Sequence, residues 1–333
     1  MKVPGWLTRI CLGLVLVAAF SGAPYLSANA QAVLRLAHNK AWSNPALEIG
    51  LSNGAFEKEG VKVKATEFSN PADMITAIVS GSIDAATVPS TVFAIAREKG
   101  VKIKAVALIQ GNNRPPIAYT VLADSNIRTA ADLRGKKVAV NNYGGNYDLI
   151  LRAWLDQHHV DPKDVKIVVV PVPAMLGALI HHQVDMVPLA AVEQGHVKLL
   201  YPGKTRKLFD YGDVYRAATG ANKNNSIILV VSQNFINKSR PTLVDFLRGY
   251  LKVVRKMNAN PKVALKDWAN AVDNKSILLL AAPPAIPNDG KIYTKAIKFE
   301  TAMALKYGYL KNPIDILAYV DNSEIEEAAK SLK

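Results

Sequence analysis

The chain has 333 residues, with 41 Lys or Arg against 27 Asp or Glu, so its formal charge is +14. Apolar residues make up 50% and charged residues 20%, which excludes a disordered polyelectrolyte and leaves enough core for one large or two medium domains. The single cysteine, Cys11, lies in a segment that we expect to be removed. The folded body is therefore predicted to have no disulfide, no Cys-ligated zinc and no cysteine nucleophile.

The first thirty residues have the pattern of a secretory signal peptide. Lys2 and Arg9 carry its only charges, and residues 10–20 form an apolar run without a charge. Small residues at Ala28 and Ala30 predict cleavage before residue 31 and export to the periplasm. The run is too short to span a bilayer, which takes about twenty residues. A cysteine at its start rather than its end disfavours a lipoprotein.

The mature chain remains basic without the two charges of the signal peptide. It carries 39 basic and 27 acidic residues, a formal charge of +12. Such a balance suits nucleic acid, anionic lipid or small anions as partners. The lysines are scattered, with no block of five, and export further disfavours nucleic acid. We expect a soluble basic surface and no nucleic-acid partner.

Strands and helices alternate through the first part of the mature chain. The predicted strands cover residues 33–37, 61–65, 83–88 and 101–108. Asn44, Asn70 and Ser90 stand where helix N-caps are expected, and Gly54 and Gly81 stand where helices end. This alternation indicates an α/β fold with a largely parallel sheet.

The same plan returns in the second part. The predicted elements are a helical turn at 130–133, strands at 136–140, 165–170 and 184–187, and helices at 147–158 and 174–181. The chain then reads as irregular as far as Asn225. A β-branched strand at 227–232 follows, and the remainder reads as helical, with helices at 243–257, 261–272 and 291–307.

Overlaying the two parts indicates an internal repeat. Residues 77–84 match residues 178–185 at an offset of 101, and the strand ends His38 and Asn141 match at an offset of 103. This favours two α/β lobes built on one plan. The predicted organisation is a signal peptide at 1–30, lobe I at 31–112 plus 235–333, and lobe II at 113–234. The predicted hinge crossings lie near residues 111–116 and 220–234.

Five short motifs in order carry a resemblance to a known family. They are Gly54-Ala55-Phe56-x-x-x-Gly60-Val61-x-Val63, Ala77-x-x-x-Gly81-x-Ile83-Asp84, Asp132-Leu133-x-Gly135-Lys136-x-Val138, Asp164-Val165 and Gln183-Val184-Asp185. Over about 200 residues the chain resembles the periplasmic solute-binding proteins of ABC importers for nitrate, sulfonate, taurine and thiamine-pyrimidine-precursor-like solutes. His182 departs from the glycine usual before the strand, but His tolerates the left-handed conformation better than most residues.

The resemblance implies a type II periplasmic-binding-protein fold, with two α/β lobes of mixed, mainly parallel sheets and two hinge crossings. Such proteins close on a ligand by hinge bending and deliver it to a membrane permease. The implied partners are a small-molecule solute, anionic or aromatic, and an ABC permease and ATPase complex in the inner membrane. We expect a monomer with no cofactor and no metal.

Four loops are predicted to hold the ligand, because ligands of open α/β sheets bind beyond the carboxyl ends of strands, where helix N-termini offer free N–H groups. The predicted ligand-binding residues are His38, Trp42 and Asn44 in the first loop, Pro89, Ser90 and Thr91 in the second, Asn141, Tyr143, Gly144, Gly145, Asn146 and Tyr147 in the third, and Pro188 and Leu189 in the fourth.

The third loop is the strongest prediction. Gly144 and Gly145 let a ligand approach the backbone closely, and the loop amides could form an anion-binding concavity. In the family the matching loop contacts the ligand's anionic head. A plain turn capped by Asn146 is the alternative. Asp148 would complement the helix dipole or, if it faced the cleft, repel an anion or pair with an ammonium group.

Aromatic residues in these loops favour a ligand larger than nitrate. Trp42, Tyr143 and Tyr147 could wall a flat or apolar ligand, although each could equally serve in packing. For Ser90 and Thr91 the alternative is helix capping. Arg114, near the first predicted crossing, would be a counter-charge or a solvent-exposed residue.

Enzyme motifs are missing from the sequence. It has no His-Glu-x-x-His stretch, no Gly-x-Ser-x-Gly elbow and no phosphate-binding Gly-x-x-x-x-Gly-Lys loop. The adjacent histidines at 158–159 and 181–182 would point about 100° apart on a helix, so neither pair makes a metal site. A related pyrimidine synthase carries a cysteine cluster that the mature chain does not have. We therefore predict a binding protein, with an exported sensory module or a pyrimidine-precursor enzyme as the alternative.

Overall fold

Two sets of strands covered by helices build the described chain. A computed structural model describes residues 32–39, 44–111, 117–280 and 282–332, which form one compact unit. Trp42, Arg114 and the predicted signal peptide lie outside these residues.

The described residues contain ten strands and eleven α-helices. The strands are β1 Ala32–His38, β2 Val61–Glu67, β3 Ala85–Pro89, β4 Ile103–Gln110, β5 Ala118–Leu122, β6 Lys137–Val140, β7 Lys166–Val169, β8 Val187–Leu189, β9 Thr205–Asp210 and β10 Ile227–Ser232. The helices are α1 Pro45–Ser52, α2 Pro71–Val79, α3 Ser90–Glu98, α4 Asn146–Gln157, α5 Val172–Ile180, α6 Ala191–Leu200, α7 Tyr211–Thr219, α8 Gln233–Ala259, α9 Pro261–Ala271, α10 Thr294–Lys306 and α11 Ser323–Lys330.

The first sheet has five strands in the order β2-β1-β3-β10-β4. Strand β1 runs parallel to β2 and β3, whereas β10 runs antiparallel to both of its neighbours. One face packs against α1, α8 and α9, and the other carries a second apolar cluster that includes residues of α2, α3 and α10. The sheet is thus buried on both faces, which explains its long apolar strands.

The second set of strands comprises the antiparallel sheet β8-β5-β9 and the parallel pair β6-β7. A parallel bridge between Val138 and Met186 links them. Every antiparallel pair among the named strands includes β5 or β10. Each of these two strands is the first one after the chain crosses from one set of strands to the other. The predicted mixed α/β fold is confirmed.

Strand β10 does not follow the predicted lobe boundary. The boundary at residue 234 assigned residues 227–232 to lobe II, but they pair with β3 and β4 in the first sheet. The return to the first sheet therefore precedes Ile227. The division into two lobes itself stays a prediction.

The two sets of strands repeat one local hydrogen-bonding pattern. The Asp84 backbone N–H donates to the Arg35 carbonyl at 2.9 Å, and the Arg35 N–H donates to the Asp84 carboxylate at 3.0 Å. Asp185 makes the same reciprocal pair with Lys137, at 2.8 Å in each direction. The turns before these aspartates match too, since Gly81 has φ +75° and His182 has φ +55°. His182 thus adopts the left-handed backbone conformation that the resembled family achieves with a glycine at this position.

The prediction that residues 189–225 are irregular is wrong, because they form α6, β9 and α7. Helix α6 has a glycine in its middle, at Gly195, which is unfavourable for a helix by about 1 kcal/mol relative to alanine. Helix α7 has a clear start signal that the sequence reading missed, a capping box between Asp210 and Asp213.

Two of the predicted helix caps also differ. Asn70 caps α2 by accepting a hydrogen bond from the Ala72 N–H at 2.9 Å, as expected. Asn44 occupies the N-cap of α1 but makes no capping hydrogen bond with its side chain. Ser90 is the first residue of α3 rather than its cap, and Pro89 takes the N-cap position. No helix in the described part of the chain is both long and apolar enough to cross a membrane.

Candidate functional site

A cavity of about 980 Å³ lies between the two sets of strands. First-sheet residues Pro89, Gln110 and Ile227 line one side, and Asn141 and Tyr147 from the second set line the other. The volume is near the upper end of the range for pockets that bury a small organic ligand, about 300–1,000 Å³.

Five helices present their N-terminal residues to this cavity. The lining includes residues at the starts of α2, α3, α4, α5 and α6. Within the described chain, the last four have no side-chain cap. Free first-turn N–H groups are therefore expected at α3, α4 and α6. Helix α5 offers fewer, because Pro173 has no N–H and the Ala174 N–H donates to the Pro171 carbonyl. The converging dipoles favour a negatively charged or oxygen-rich group at this edge of the cavity.

The structure brings five of the predicted ligand-binding residues to the cavity wall, namely Pro89, Asn141, Gly145, Asn146 and Tyr147. Asn146 starts α4 instead of capping it, and its side-chain amide donates to the Ser226 carbonyl at 2.9 Å. This contact ties the third loop to the segment that leads into β10. Ligand contact by these residues stays a prediction.

The other described candidates do not line the cavity. They are His38, Asn44, Ser90, Thr91, Tyr143, Gly144, Pro188 and Leu189. His38 is buried, with its Nδ1 3.0 Å from a Glu48 carboxylate oxygen. The Tyr143 ring is 54% exposed and its hydroxyl donates to the Ile167 carbonyl at 3.2 Å.

Three of these buried candidates keep unsatisfied polar atoms. Among the described residues, the Asn44 amide and the Ser90 and Thr91 hydroxyls find no hydrogen-bond partner, and neither does the neighbouring Thr87 hydroxyl. Buried polar atoms normally bind protein, solvent or ligand. For Asn44, Ser90 and Thr91, ligand contact stays a prediction.

Asp148 is fully buried and supports the third loop rather than facing the cavity. Its carboxylate accepts hydrogen bonds from the Gly144 N–H at 2.9 Å, the Tyr309 hydroxyl at 2.5 Å and the Arg152 guanidinium at 2.7 Å. Three of the about four acceptor sites of the carboxylate are thus used inside the protein. Neither repulsion of an anion nor pairing with a ligand ammonium follows from this arrangement.

Sequence reasoning missed several lining residues. They are Asn70, Gln110, Glu193, His196, Tyr201 and Trp268. Glu193 and His196 lie on α6, in the segment read as irregular, and Trp268 lies on α9 in the C-terminal part. With Tyr147, the rings of Tyr201 and Trp268 make the cavity wall partly aromatic.

Glu193 gives the cavity an acidic group. One of its carboxylate oxygens is buried without a hydrogen-bond partner among the described residues. Burial raises the pKa of Glu193, against a smaller opposing effect of its own backbone and of His196. Burial and the Glu193 charge together raise the pKa of the Tyr147 hydroxyl. Among the described lining residues there is no Lys or Arg to compensate this carboxyl.

At the rim of the cavity, α6 meets a short turn of the C-terminal part. A Cβ at Gly195 would lie 3.3 Å from Leu280 Cδ2 and 3.6 Å from the Ser276 carbonyl oxygen. Leu200 and Ile277, from the two sides of this contact, both line the cavity. The glycine therefore permits the close approach of α6 to this turn that narrows the cavity mouth.

No group of three or more metal-ligating side chains occurs in the described residues.

Known proteins support the fold and the family. The chain is 26% identical over 255 residues to the formylaminopyrimidine-binding protein of Halalkalibacterium halodurans, covering 73% of this chain and 74% of that protein. It is structurally similar to the periplasmic aliphatic sulphonate binding protein SsuA from Escherichia coli, with TM-score 0.72, 16% identity and coverage of 88% and 99% of the two chains.

The same fold also supports catalysis elsewhere, since the desulfurization enzyme DSZB matches with TM-score 0.64 and 12% identity over 91% of this chain and all of that one. The model of the family described as NMT1/THI5 like matches residues 47–264. This match spans more than half of the chain, and the chain belongs to the NMT1/THI5-like family.

Proposed function

We propose that this protein is the periplasmic solute-binding component of an ABC importer. It captures a small solute in the cavity between its two sets of strands and delivers it to a membrane permease without chemical change. The observation that supports this proposal most is the cavity of about 980 Å³, which is lined by residues of both sets of strands and by residues at the N-termini of five helices. The family membership and the similarity to binding proteins support this function.

The cavity chemistry favours a flat solute with both hydrogen-bond donors and an acceptor oxygen. Uncapped helix N-termini supply donors to an oxygen. Glu193 is half-buried, and one of its carboxylate oxygens is buried without a hydrogen-bond partner among the described residues. The described lining has no Lys or Arg to pair with it, so this oxygen calls for an N–H or ammonium donor. A simple anion such as nitrate satisfies only the first requirement. A formylaminopyrimidine satisfies both, through its formyl oxygen and its amino N–H groups, and its ring can stack on Tyr147, Tyr201 or Trp268.

A ligand screen tests the function and the solute class together. We expect a formylaminopyrimidine at about 100 times its dissociation constant to stabilise the protein by about 2.7 kcal/mol, seen as a raised melting temperature. Ethanesulfonate, taurine and nitrate serve as comparison solutes. A shift with ethanesulfonate or nitrate alone would keep the binding function and reject the aminopyrimidine class. Consumption of the bound solute would instead identify an enzyme.

Replacing Glu193 by glutamine is expected to weaken aminopyrimidine binding by about tenfold or more. The substitution keeps the side-chain shape but removes the charge. A charge-assisted hydrogen bond is stronger than a neutral one by about 1.4 kcal/mol, which is a factor of ten in affinity. Isothermal titration calorimetry measures the dissociation constant. Glu57→Gln, on an exposed short turn, is the matched control and should bind as the wild type does. Equal affinity of E193Q and wild type would remove Glu193 from the site.

A bulky residue at Gly195 is expected to hold the cavity mouth open. A leucine there extends beyond a Cβ that already lies 3.3 Å from Leu280, so α6 and the facing turn must separate. We expect Gly195→Leu to weaken solute binding by about tenfold or more. Gly195→Ala adds only the Cβ, at distances that small shifts accommodate, and is expected to bind within about threefold of wild type. Similar affinities for both variants would show that this contact does not control binding.

A further inference from the structure

Glu300 on α10 is a buried carboxyl that the proposed solute binding does not use. It is 3% exposed. Its Oε1 accepts a hydrogen bond from the Tyr215 hydroxyl at 2.6 Å and another from the Asn225 backbone N–H at 3.1 Å. The nearby Ser90 hydroxyl and the second carboxylate oxygen, Oε2, are both buried without a hydrogen-bond partner among the described residues. No Lys, Arg or His of the described chain forms an ion pair with it.

Glu300 and its two hydrogen-bond partners belong to three segments that meet beside the cavity. Glu300 lies on α10, which contributes Ile297 and Ala304 to an apolar cluster of the first sheet. Tyr215 lies on α7, which packs in the core of the second set. Asn225 precedes Ser226, which lines the cavity and whose carbonyl accepts the Asn146 amide. One carboxyl thus links a helix of the first sheet to the second set of strands and to the segment that joins them.

Helix α10 holds the joining segment at a second point as well. The Asn225 side-chain amide donates to the Tyr293 carbonyl at 2.8 Å, and the Tyr293 N–H donates to the Asn225 side-chain oxygen at 2.9 Å. Asn225 is completely buried. The joining segment is therefore fixed to α10 and to its N-cap Tyr293 through both the backbone and the side chain of Asn225. The Tyr215 hydroxyl of α7 binds the same Glu300 carboxyl.

We propose that Glu300 is a positioning residue that sets the relative placement of the two cavity walls, and that its ionisation favours a wider cavity. In the neutral state the carboxyl holds α7 and the joining segment to α10. In the ionised state a charge without a cationic partner lies between them, and separation of the walls admits water to it. This inference rests on the proposed function only in taking the cavity as the solute site.

The surroundings of Glu300 support this proposal. From α7 it is faced by the titratable Tyr215 and Tyr211, and from α3 and the joining segment by Ser90 and Asn225, which do not titrate. The charged groups of α4 lie at the C-terminal end of α10 and beyond it. Asp156 pairs with Lys306, the last residue of α10, and Asp148 accepts a hydrogen bond from Tyr309, which follows the helix. Burial raises the pKa of Glu300 to about 7, so ionisation occurs in a physiological range.

A distance measurement across the cavity mouth tests the proposal without any ligand. Cys11 is the only cysteine, so spin labels can be placed in a Cys11→Ser background at Lys198→Cys and Lys275→Cys, two exposed sites on either side of the rim contact. We expect the wild-type distance distribution to lengthen or broaden between pH 5.5 and pH 8.5, with a midpoint near 7. Glu300→Gln keeps an acceptor oxygen but cannot ionise, and its distribution should stay the same.

The matched control is Glu324→Gln, which removes another buried carboxyl, on α11 and away from the cavity. It should keep the wild-type pH response, including any part due to histidines. An unchanged wild-type distribution, or a shift retained in E300Q, would overturn the proposal. Because no solute is present, this result is independent of the ligand screen. A failed screen with a pH-dependent distance would reject the solute class and leave the role of Glu300 intact.

Discussion

Replacing Gly144 by alanine is expected to destabilise the protein by about 2–5 kcal/mol. Gly144 has φ +71°, and an L-residue in the left-handed region costs about 1–2 kcal/mol. A Cβ at this position would also lie 2.6 Å from Tyr309 Cδ1 and 2.8 Å from Tyr309 Cγ. Overpacking of this kind costs about 1–3 kcal/mol. The ring cannot move away freely because its hydroxyl donates to Asp148 at 2.5 Å.

Denaturant unfolding measures this loss, and Gly135 provides a matched control. Gly135 has φ +74°, but a Cβ there would have nothing within 4 Å. Gly135→Ala should therefore show the backbone cost alone, and Gly144→Ala should lose about 1–3 kcal/mol more. Equal losses would mean that Tyr309 does not constrain the loop. Adding Tyr309→Ala to Gly144→Ala should cost less than the two single losses together, since the second change removes the clash.

The same variant should also weaken solute binding, because Gly144 precedes the helix start that lines the cavity. The Asp148 carboxylate accepts a hydrogen bond from the Gly144 N–H and so holds the loop in place. Displacement of this loop moves Gly145 and Asn146, two residues of the cavity wall. We expect G144A to lose affinity for whichever solute the wild type binds in the thermal-shift screen, whereas G135A keeps it.

Local signals in the sequence were sufficient for the α/β fold. Asn-Pro pairs mark the starts of α1 and α2, and glycines or His182 with positive φ mark the turns before β3 and β8. The repeat was visible because Asp84 and Asp185 serve the same local purpose, pairing with the backbone of a neighbouring strand. These features depend on residues close in sequence or on one repeated contact.

The site was only partly predictable because its walls come from distant segments. A position after a strand says nothing about the direction of the side chain. His38 follows that rule but turns into the protein to meet Glu48, and Tyr143 turns outward. Glu193 lies on a helix with a central glycine, and Trp268 approaches from α9. No pattern in the sequence shows that these two side chains share a cavity with Tyr147.

The protein is expected to lose about 3 kcal/mol of stability as the pH rises from 4.5 to above 7, owing to Glu300 alone. Burial raises the pKa of this carboxyl from its usual 4.5 to about 7 in the folded state. Below pH 4.5 both states are protonated and there is no penalty. Between the two values only the folded state retains the proton, so raising the pH favours unfolding by about 1.4 kcal/mol per pH unit. Above 7 the full penalty applies.

Urea unfolding at intervals from pH 4.5 to pH 8.5 measures this effect, with Glu300→Gln as the comparison. All other ionisable groups are the same in both proteins, so their contributions cancel in the difference. Asp321 affects stability with the opposite sign and in another pH range. Burial raises its pKa, but hydrogen bonds from Lys104 and Ser323 outweigh burial and lower the pKa to about 2. The stability that ionised Asp321 contributes is therefore present above pH 4 and is lost only as the pH falls towards 2. The stability of E300Q relative to wild type should thus rise by about 3 kcal/mol across the range. A flat difference would mean that Glu300 is ionised and hydrated in the folded protein, in which case it could not change the cavity width by gaining a charge.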